Sequence, residues 1–388
     1  MSNNDWPPEA HTTVFTPVAP SRRGILLIVL VLLAAYVVLG SVRNYYVQWS
    51  AIRKAEAARL AKDYTQEYRQ LSLLANMGNP GAQYGLGGLY WQGQGVAQSR
   101  QQALNWWRKA ADGGSAQAAY GIGRAYYVGE GVERNDKIAA TWAKKAADGG
   151  EPNGQTLLGM LYARGHGVEQ DYNTAFEWWM KAAARGQVDA QVAVGNAYTL
   201  GSGVGKDDAQ AVVWYRKAAE QGNIPAQSML GYAYSAGKGV ARNDTEAASW
   251  WLKAATQGDA YAQASVGVAY WNGAGLTHSD ASAVSWWLKA AKQGNVSAEL
   301  YLAAAYANGR GTAKDDKSAE FWLLQAAGTG NVDAEINLGK LYYGGIGGTP
   351  NYTEAAKWFT KAAGHGNAEA KAFLELMKQK GQFDSKTL

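Results

Sequence analysis

Eight tryptophans, Trp106, Trp142, Trp178, Trp214, Trp250, Trp286, Trp322 and Trp358, stand 36 residues apart without one insertion or deletion. A period of this size marks a solenoid, in which each unit buries its apolar face only against its neighbours. Other columns keep the beat. Lys-Ala-Ala follows each Trp, from Lys109-Ala110-Ala111 to Lys361-Ala362-Ala363, and only Gln325-Ala326-Ala327 replaces the Lys. Gly78, Gly114, Gly150 and their equivalents through Gly366 close the units. A Gly-x-x-Tyr precedes a Gly-x-Gly in each unit, as in Gly87, Tyr90, Gly93 and Gly95, and Ala303 is the one substitution in the first Gly column. An Ala column runs from Ala103 to Ala355, three residues before each Trp.

One unit, residues 79–114, shows what the columns do. Ala82, Leu86, Gly87 and Tyr90 share one face of a helix. Gly93-Gln94-Gly95-Val96 ends it, because glycine reaches the left-handed conformation that stops a helix. Ser99 is an N-cap for a second helix, and Asp171, Asp207, Asn243, Ser279 and Asp315 fill the same column. Ala103, Trp106, Ala110 and Ala111 form the second apolar face, and Gly113-Gly114 closes the unit. Small residues let two helices approach while Trp and Tyr fill the remaining gap. The Trp column reads as core. Trp107, Trp179, Trp251 and Trp287, beside it but not present in every unit, read as partly exposed contact residues.

The motifs Ala-x-x-x-Leu-Gly-x-x-Tyr-x-x-Gly-x-Gly-Val and Ala-x-x-Trp-x-x-Lys-Ala-Ala-x-x-Gly closely resemble those of the Sel-one-like repeat family, solenoid relatives of tetratricopeptide repeats. The resemblance covers residues 79–366, and a ninth first helix follows within 367–388, which reads as a C-terminal capping helix and tail. It implies an all-α, right-handed α/α superhelical solenoid with concave and convex surfaces. It also implies binding and scaffolding of proteins, with neither catalysis nor a cofactor.

The residues agree with a non-catalytic reading. His11 lies in the N-terminal tail, and His166, His278 and His365 fall in inter-helix turns at unlike repeat positions, without metal-ligand spacing. Loops such as Gly201-Ser202-Gly203-Val204-Gly205 follow a helix, whereas a dinucleotide fingerprint follows a strand. A net charge of +5 over 388 residues contains no concentrated basic block, so nucleic acid is not an expected partner. Without Cys there are no disulfides, Cys metal sites or lipoprotein anchor. Some members of the family carry a β-lactamase label, but no Ser-x-x-Lys setting or candidate base supports a cell-wall hydrolase here.

The N-terminal part is of another kind. Residues 1–23 hold four Pro and no apolar period, and read as a disordered tail. Residues 24–42 are nineteen without a charge, rich in Leu, Val and Ile. At about 1.5 Å per residue they just span a hydrocarbon core of roughly 30 Å. A cleaved secretory signal is the rival reading. Asp5 and Glu9 in a long leading segment, and the lack of an Ala-x-Ala site, weigh against it. Arg43, Arg53 and Lys54 follow the segment, so a count of basic residues alone does not orient it, but Arg22 and Arg23 at its immediate flank favour a cytoplasmic N-terminus, and Tyr45, Tyr46 and Trp49 suit the far interface. Residues 43–78 read as a linker helix and N-terminal cap. The expected location is a bacterial inner membrane, crossed once, with the repeats in the periplasm.

Partner residues are expected where first-helix positions vary beside the core stripe. The residues after the Gly and Tyr columns supply Trp91, Arg124, Tyr127, Asn196, Tyr232, Trp271, Lys340 and Tyr343 as candidate anchors. Replacing Trp271 is expected to leave folding largely intact and weaken binding. The expected partner is a protein. Either an effector toxin would be held by an immunity protein, such as a type VI secretion phospholipase, or envelope proteins would be gathered by a scaffold or regulator.

Overall fold

The computed structural model describes residues 22–382, without the side chains of 22–28 and 35. Most of the segment expected as a tail, with His11, lies outside the described residues. Among the described residues there are nineteen helices and no strand: α1 Arg22–Leu60, α2 Tyr64–Asn76, α3 Pro80–Gln92, α4 Arg100–Asp112, α5 Ala116–Val128, α6 Asp136–Asp148, α7 Pro152–Arg164, α8 Tyr172–Ala184, α9 Val188–Leu200 and α10 Asp208–Glu220. The series continues with α11 Ile224–Ala236, α12 Asp244–Thr256, α13 Ala260–Asn272, α14 Asp280–Ala291, α15 Val296–Asn308, α16 Asp316–Gly328, α17 Val332–Gly344, α18 Tyr352–Gly364 and α19 Ala368–Gln379. The fold is an all-helical solenoid of paired helices. Its chain divides into two compact units, residues 1–118 with 130–132, and 119–129 with 133–388.

In the first unit, α1 is long and apolar enough to cross a membrane, and the side chains from Val29 to Leu33 and Tyr36 to Leu39 are exposed. Its last turns are of another composition: Ala51, Ala55 and Ala58 are buried. Ala51 joins Leu74, Ala75, Ala82 and Leu86 in one core cluster. The segment expected as one linker helix is divided. Lys62 has φ 56°, and the Asp63 carboxylate caps α2 by accepting from the Gln66 N–H at 3.0 Å. The second helix α2 stands 36 residues before α4 and so occupies a second-helix position.

In the second unit the columns acquire reasons. The N-caps expected at Asp171, Asp207, Asn243, Ser279 and Asp315 are all found, and Asn135 and Asn351 complete the column. The second glycine of the Gly-x-Gly is forced twice over in five repeats of this unit, at Gly167, Gly203, Gly239, Gly275 and Gly311. Gly239 has φ +70°, and a Cβ there would overlap the Asp208 carbonyl, where the turn of one repeat touches the first turn of the preceding second helix.

The first Gly column makes room for aromatic rings. A Cβ on Gly159, Gly195, Gly231, Gly267 or Gly339 would strike the ring of Trp179, Tyr215, Trp251, Trp287 or Phe359. Trp107 and Trp287 are buried, as are Tyr215 and Phe359, while Trp179 and Trp251 are half-buried. This corrects the reading of Trp107 and Trp287 as partly exposed, while Trp179 and Trp251 keep part of their surface; the glycine opposite each one gives its ring a seat. The invariant Trp column lies closer to solvent. Trp214 and Trp250 are buried, but the other six are half-buried. The Lys of Lys-Ala-Ala covers that ring, with Nζ 3.7 Å from the centroids of Trp214 and Trp250 and 3.8 Å from that of Trp286.

A buried polar column was not expected. The Gln191, Gln227 and Gln263 side-chain amides each donate to the carbonyl eight residues earlier, at 3.4, 3.2 and 3.1 Å. Their carbonyl oxygens accept from Gln221, Gln257 and Gln293 of the following turn at 2.8, 2.9 and 2.9 Å. Glu299 and Glu335 take the same register in later repeats, and both are buried.

Candidate partner-binding face

The variable positions of α5 through α17 flank a row of shallow hollows between successive first helices. One, of about 350 Å³, is lined by Tyr120, Arg124, Tyr127, Thr156, Met160 and Asp189 among others. A second, of about 220 Å³, includes Tyr232, Trp251, Tyr261, Val268 and Tyr301. A third, of about 330 Å³, includes Leu300, Ala304, Asn337 and Lys340. The hollows exist because the first helices carry small residues beside the core stripe, so adjacent helices meet at depth and diverge above it.

Of the eight candidate anchors, Arg124 is exposed at the first hollow and Tyr232 at the second. Lys340 lines the third hollow and pairs with Glu369 at 2.7 Å. The other five are engaged by the fold. Trp91 stacks on Trp107 at 4.9 Å, and the Arg100 guanidinium covers it at 4.3 Å. Tyr127 lines the first hollow, but its hydroxyl accepts from Arg164 at 2.9 Å. Asn196 accepts from the hydroxyl of buried Tyr215 at 2.8 Å. Trp271 packs 5.1 Å from Trp287 beneath Arg310, whose guanidinium lies 3.6 Å from its centroid and pairs with Asp280 at 2.9 Å. Tyr343 sits between Tyr352 and Phe373 and accepts from Lys380 at 3.3 Å. Truncation of Trp271 therefore removes internal packing as well as surface.

Sequence reasoning passed over Met229, Tyr261 and Tyr301, which are 38%, 49% and 42% exposed. Met229 and Tyr301 lie one turn, and Tyr261 two turns, before the column that follows the first Gly. Helical positions three, four or seven residues apart share a face, so the columns one and two turns earlier carried the missing signal. Burial raises the pKa of Tyr261, with the nearby Tyr232 adding in the same direction. Burial likewise raises the pKa of Tyr120, partly offset by Arg124. These groups stay neutral at physiological pH and act as hydrogen-bonding phenols. No group of three or more His, Cys, Asp or Glu side chains able to hold a metal ion occurs among the described residues.

The relatives agree with this architecture. A solved protective antigen present in uropathogenic Escherichia coli strains, displaying an SLR fold, is 38% identical, with a TM-score of 0.76 over 81% of this chain and 67% of its own. A Sel1 repeat protein from Oxalobacter formigenes is 32% identical, with a TM-score of 0.59 over 80% of this chain and 89% of its own. An immunity protein from Pseudomonas aeruginosa is 20% identical, with a TM-score of 0.34 over 62% of this chain and 80% of its own, a likeness too slight to carry a functional argument. No curated protein matches the sequence. Eight consecutive matches to the Sel1 repeat, at residues 80–115, 116–151, 152–187, 188–223, 224–259, 260–295, 296–331 and 332–367, cover most of the chain, which therefore belongs to the Sel1 repeat family.

Proposed function

We propose that this protein is a membrane-anchored, non-catalytic module that holds a protein partner on the first-helix face of its repeats, with those repeats in the periplasm of a bacterium. Sel1 repeat proteins act as protein-interaction modules, and the observation that carries the reading here is the row of hollows bordered by exposed Tyr232, Tyr261 and Tyr301. Tyrosine offers a large rigid contact area and a polar tip at small entropic cost, which is why binding surfaces favour it. The exposed apolar turns of α1 supply the anchor.

A photo-crosslinking amino acid placed at Tyr232 or Tyr261, and in parallel at Lys217 on a second helix, tests the face in native membranes. Adducts concentrated at the first-helix sites are the expected result, and equal yields at Lys217 would overturn it. The identity of the adduct then divides the reading. A single exported toxin makes the protein an immunity protein, and a set of envelope proteins makes it a scaffold. A protease added outside the inner membrane should digest the repeats. Protection there with digestion from the cytoplasmic side would reverse the topology.

A further inference from the structure

The central hollow is unlike its neighbours in its chemistry. None of its lining residues carries a charge, whereas the hollow at Tyr120 contains Arg124 and Asp189 and the one at Leu300 contains Lys340. Its rim is aromatic: Tyr232, Tyr261 and Tyr301 above Trp251. Tyr301 is held by stacking on Trp287, with centroids 4.9 Å apart and 25° between planes, so its ring is set before any ligand arrives.

Most of the other polar side chains that line it give their hydrogen bonds to the backbone. Ser235 donates its hydroxyl to the Tyr232 carbonyl at 3.0 Å, and Ser265 donates to the Tyr261 carbonyl at 2.9 Å. Asn295 spends its side-chain oxygen on the Ala298 N–H at 3.0 Å. The phenol hydroxyls of Tyr232 and Tyr301 have no hydrogen-bond partner among the described residues, and that of Tyr261 has only Ser265, which leaves phenol donors around an apolar floor. The best complement is a chain with carbonyl acceptors, apolar rings and no N–H to strand against the aromatic rim. Proline supplies only a carbonyl on its backbone. In a polyproline II helix those carbonyls have no internal partner and project outward. Aromatic-lined grooves dock such segments because the ligand is already extended and loses little entropy.

We propose that the hollow between α11, α13 and α15 is a docking site for a proline-rich, polyproline II segment of a protein partner, gripped by the rings of Tyr232, Tyr261 and Tyr301 and by hydrogen bonds from their hydroxyls. This rests on the first-helix face being the partner face, and it names the chemistry of that partner.

The test is calorimetric titration of the full chain in lipid nanodiscs with an end-blocked nonaproline peptide, against a Gly-Ser peptide of equal length. Saturable binding of nonaproline alone is expected. Replacing Tyr261 and Tyr301 together with Ala should weaken it by about tenfold or more, the loss typical of removing central aromatic anchors. The pair Tyr232→Phe and Tyr261→Phe keeps the rings and the fold while removing two donors, so it should weaken binding less, with an unchanged melting temperature. Absence of saturable binding to the unaltered protein overturns the proposal, as does equal affinity in the Tyr261→Ala/Tyr301→Ala protein. If nonaproline fails while crosslinks still concentrate on the first helices, the proline chemistry falls and the partner face stands. If the crosslinks are also indifferent to face, both fall.

Discussion

The sixth and seventh repeats, residues 260–295 and 296–331, are neighbours of equal length, yet the seventh departs from the pattern at several columns that the sixth keeps. In the sixth, Gly267 gives the ring of Trp287 its seat, Lys289 covers Trp286, and Gln263 is satisfied by the Ala255 carbonyl and the Gln293 amide. In the seventh, Ala303 stands where the glycine was and buried Leu323 replaces the large ring. Gln325 replaces the Lys, and Glu299 occupies the glutamine position with Thr329 where Gln293 would be. Glu299 is buried and its Oε2 has no hydrogen-bond partner. One repeat further on, Glu335 in the same register has Lys361 at 3.1 Å and His365 at 2.9 Å. The departures therefore come in coupled sets. A smaller side chain without a ring accompanies the larger first-helix residue, and loss of the Lys removes the cation that a buried glutamate needs.

Each coupling can be broken. The largest effect belongs to Trp287→Ala, which empties a fully buried site and should cost roughly 3–5 kcal/mol in chemical denaturation. Its half-buried neighbour Trp286, replaced in the same way, should cost clearly less, and equal losses would erase the distinction between the two columns. Next is Gly267→Ala, whose Cβ would overlap the Trp287 ring and should cost toward the upper end of roughly 1–3 kcal/mol. Adding Trp287→Leu copies the pairing of Ala303 with Leu323, so the double variant should be more stable than the sum of the single losses allows. Strict additivity would show that the pairing is incidental.

Glu299→Gln should stabilise the protein by about 1 kcal/mol near pH 7, because the new amide can donate to the Ala291 carbonyl as Gln263 does to that of Ala255. The sign follows from burial, which raises the Glu299 pKa. The folded state then holds a proton that the unfolded state has released. The unaltered protein therefore loses stability as pH rises from the ordinary carboxylate range through the raised value. The advantage of the Gln variant should accordingly be full at neutral pH and vanish in acid, as read from melting curves at several pH values. An advantage independent of pH would contradict the assignment. The smallest effect is that of Gln325→Lys, which restores the cation over Trp322 and beside Glu299 and should add about 0.5–1 kcal/mol. If it stabilises the Glu299→Gln protein equally, only the ring contact contributes.

The comparison also shows which parts of the chain were legible in advance. The Trp at every 36th residue, the glycines that end helices and the N-capping column from Ser99 to Asp315 are local or periodic features, and they gave the helix boundaries and the repeat number without a structure. Their spacing repeats because every unit meets the same neighbour. Depth was not legible. Trp106 and Trp107 differ by one position along a helix, and only the glycine across the interface decides that Trp107 is the more deeply buried of the pair. The eight candidate anchors were chosen by column, but hydrogen bonds and stacking from other helices, 16 to 37 residues away in cases such as Trp91, Tyr127 and Asn196, decide which of them are engaged within the fold.

By itself, then, the amino-acid order determined the repeat, its helices and its family, because periodicity and helix-stop chemistry act within one unit or between identical units. The tertiary structure decided which aromatic ring is seated, which buried carboxylate is paired and which tyrosines stay exposed, because those outcomes depend on which side chains one helix presents to another, within a repeat and between repeats.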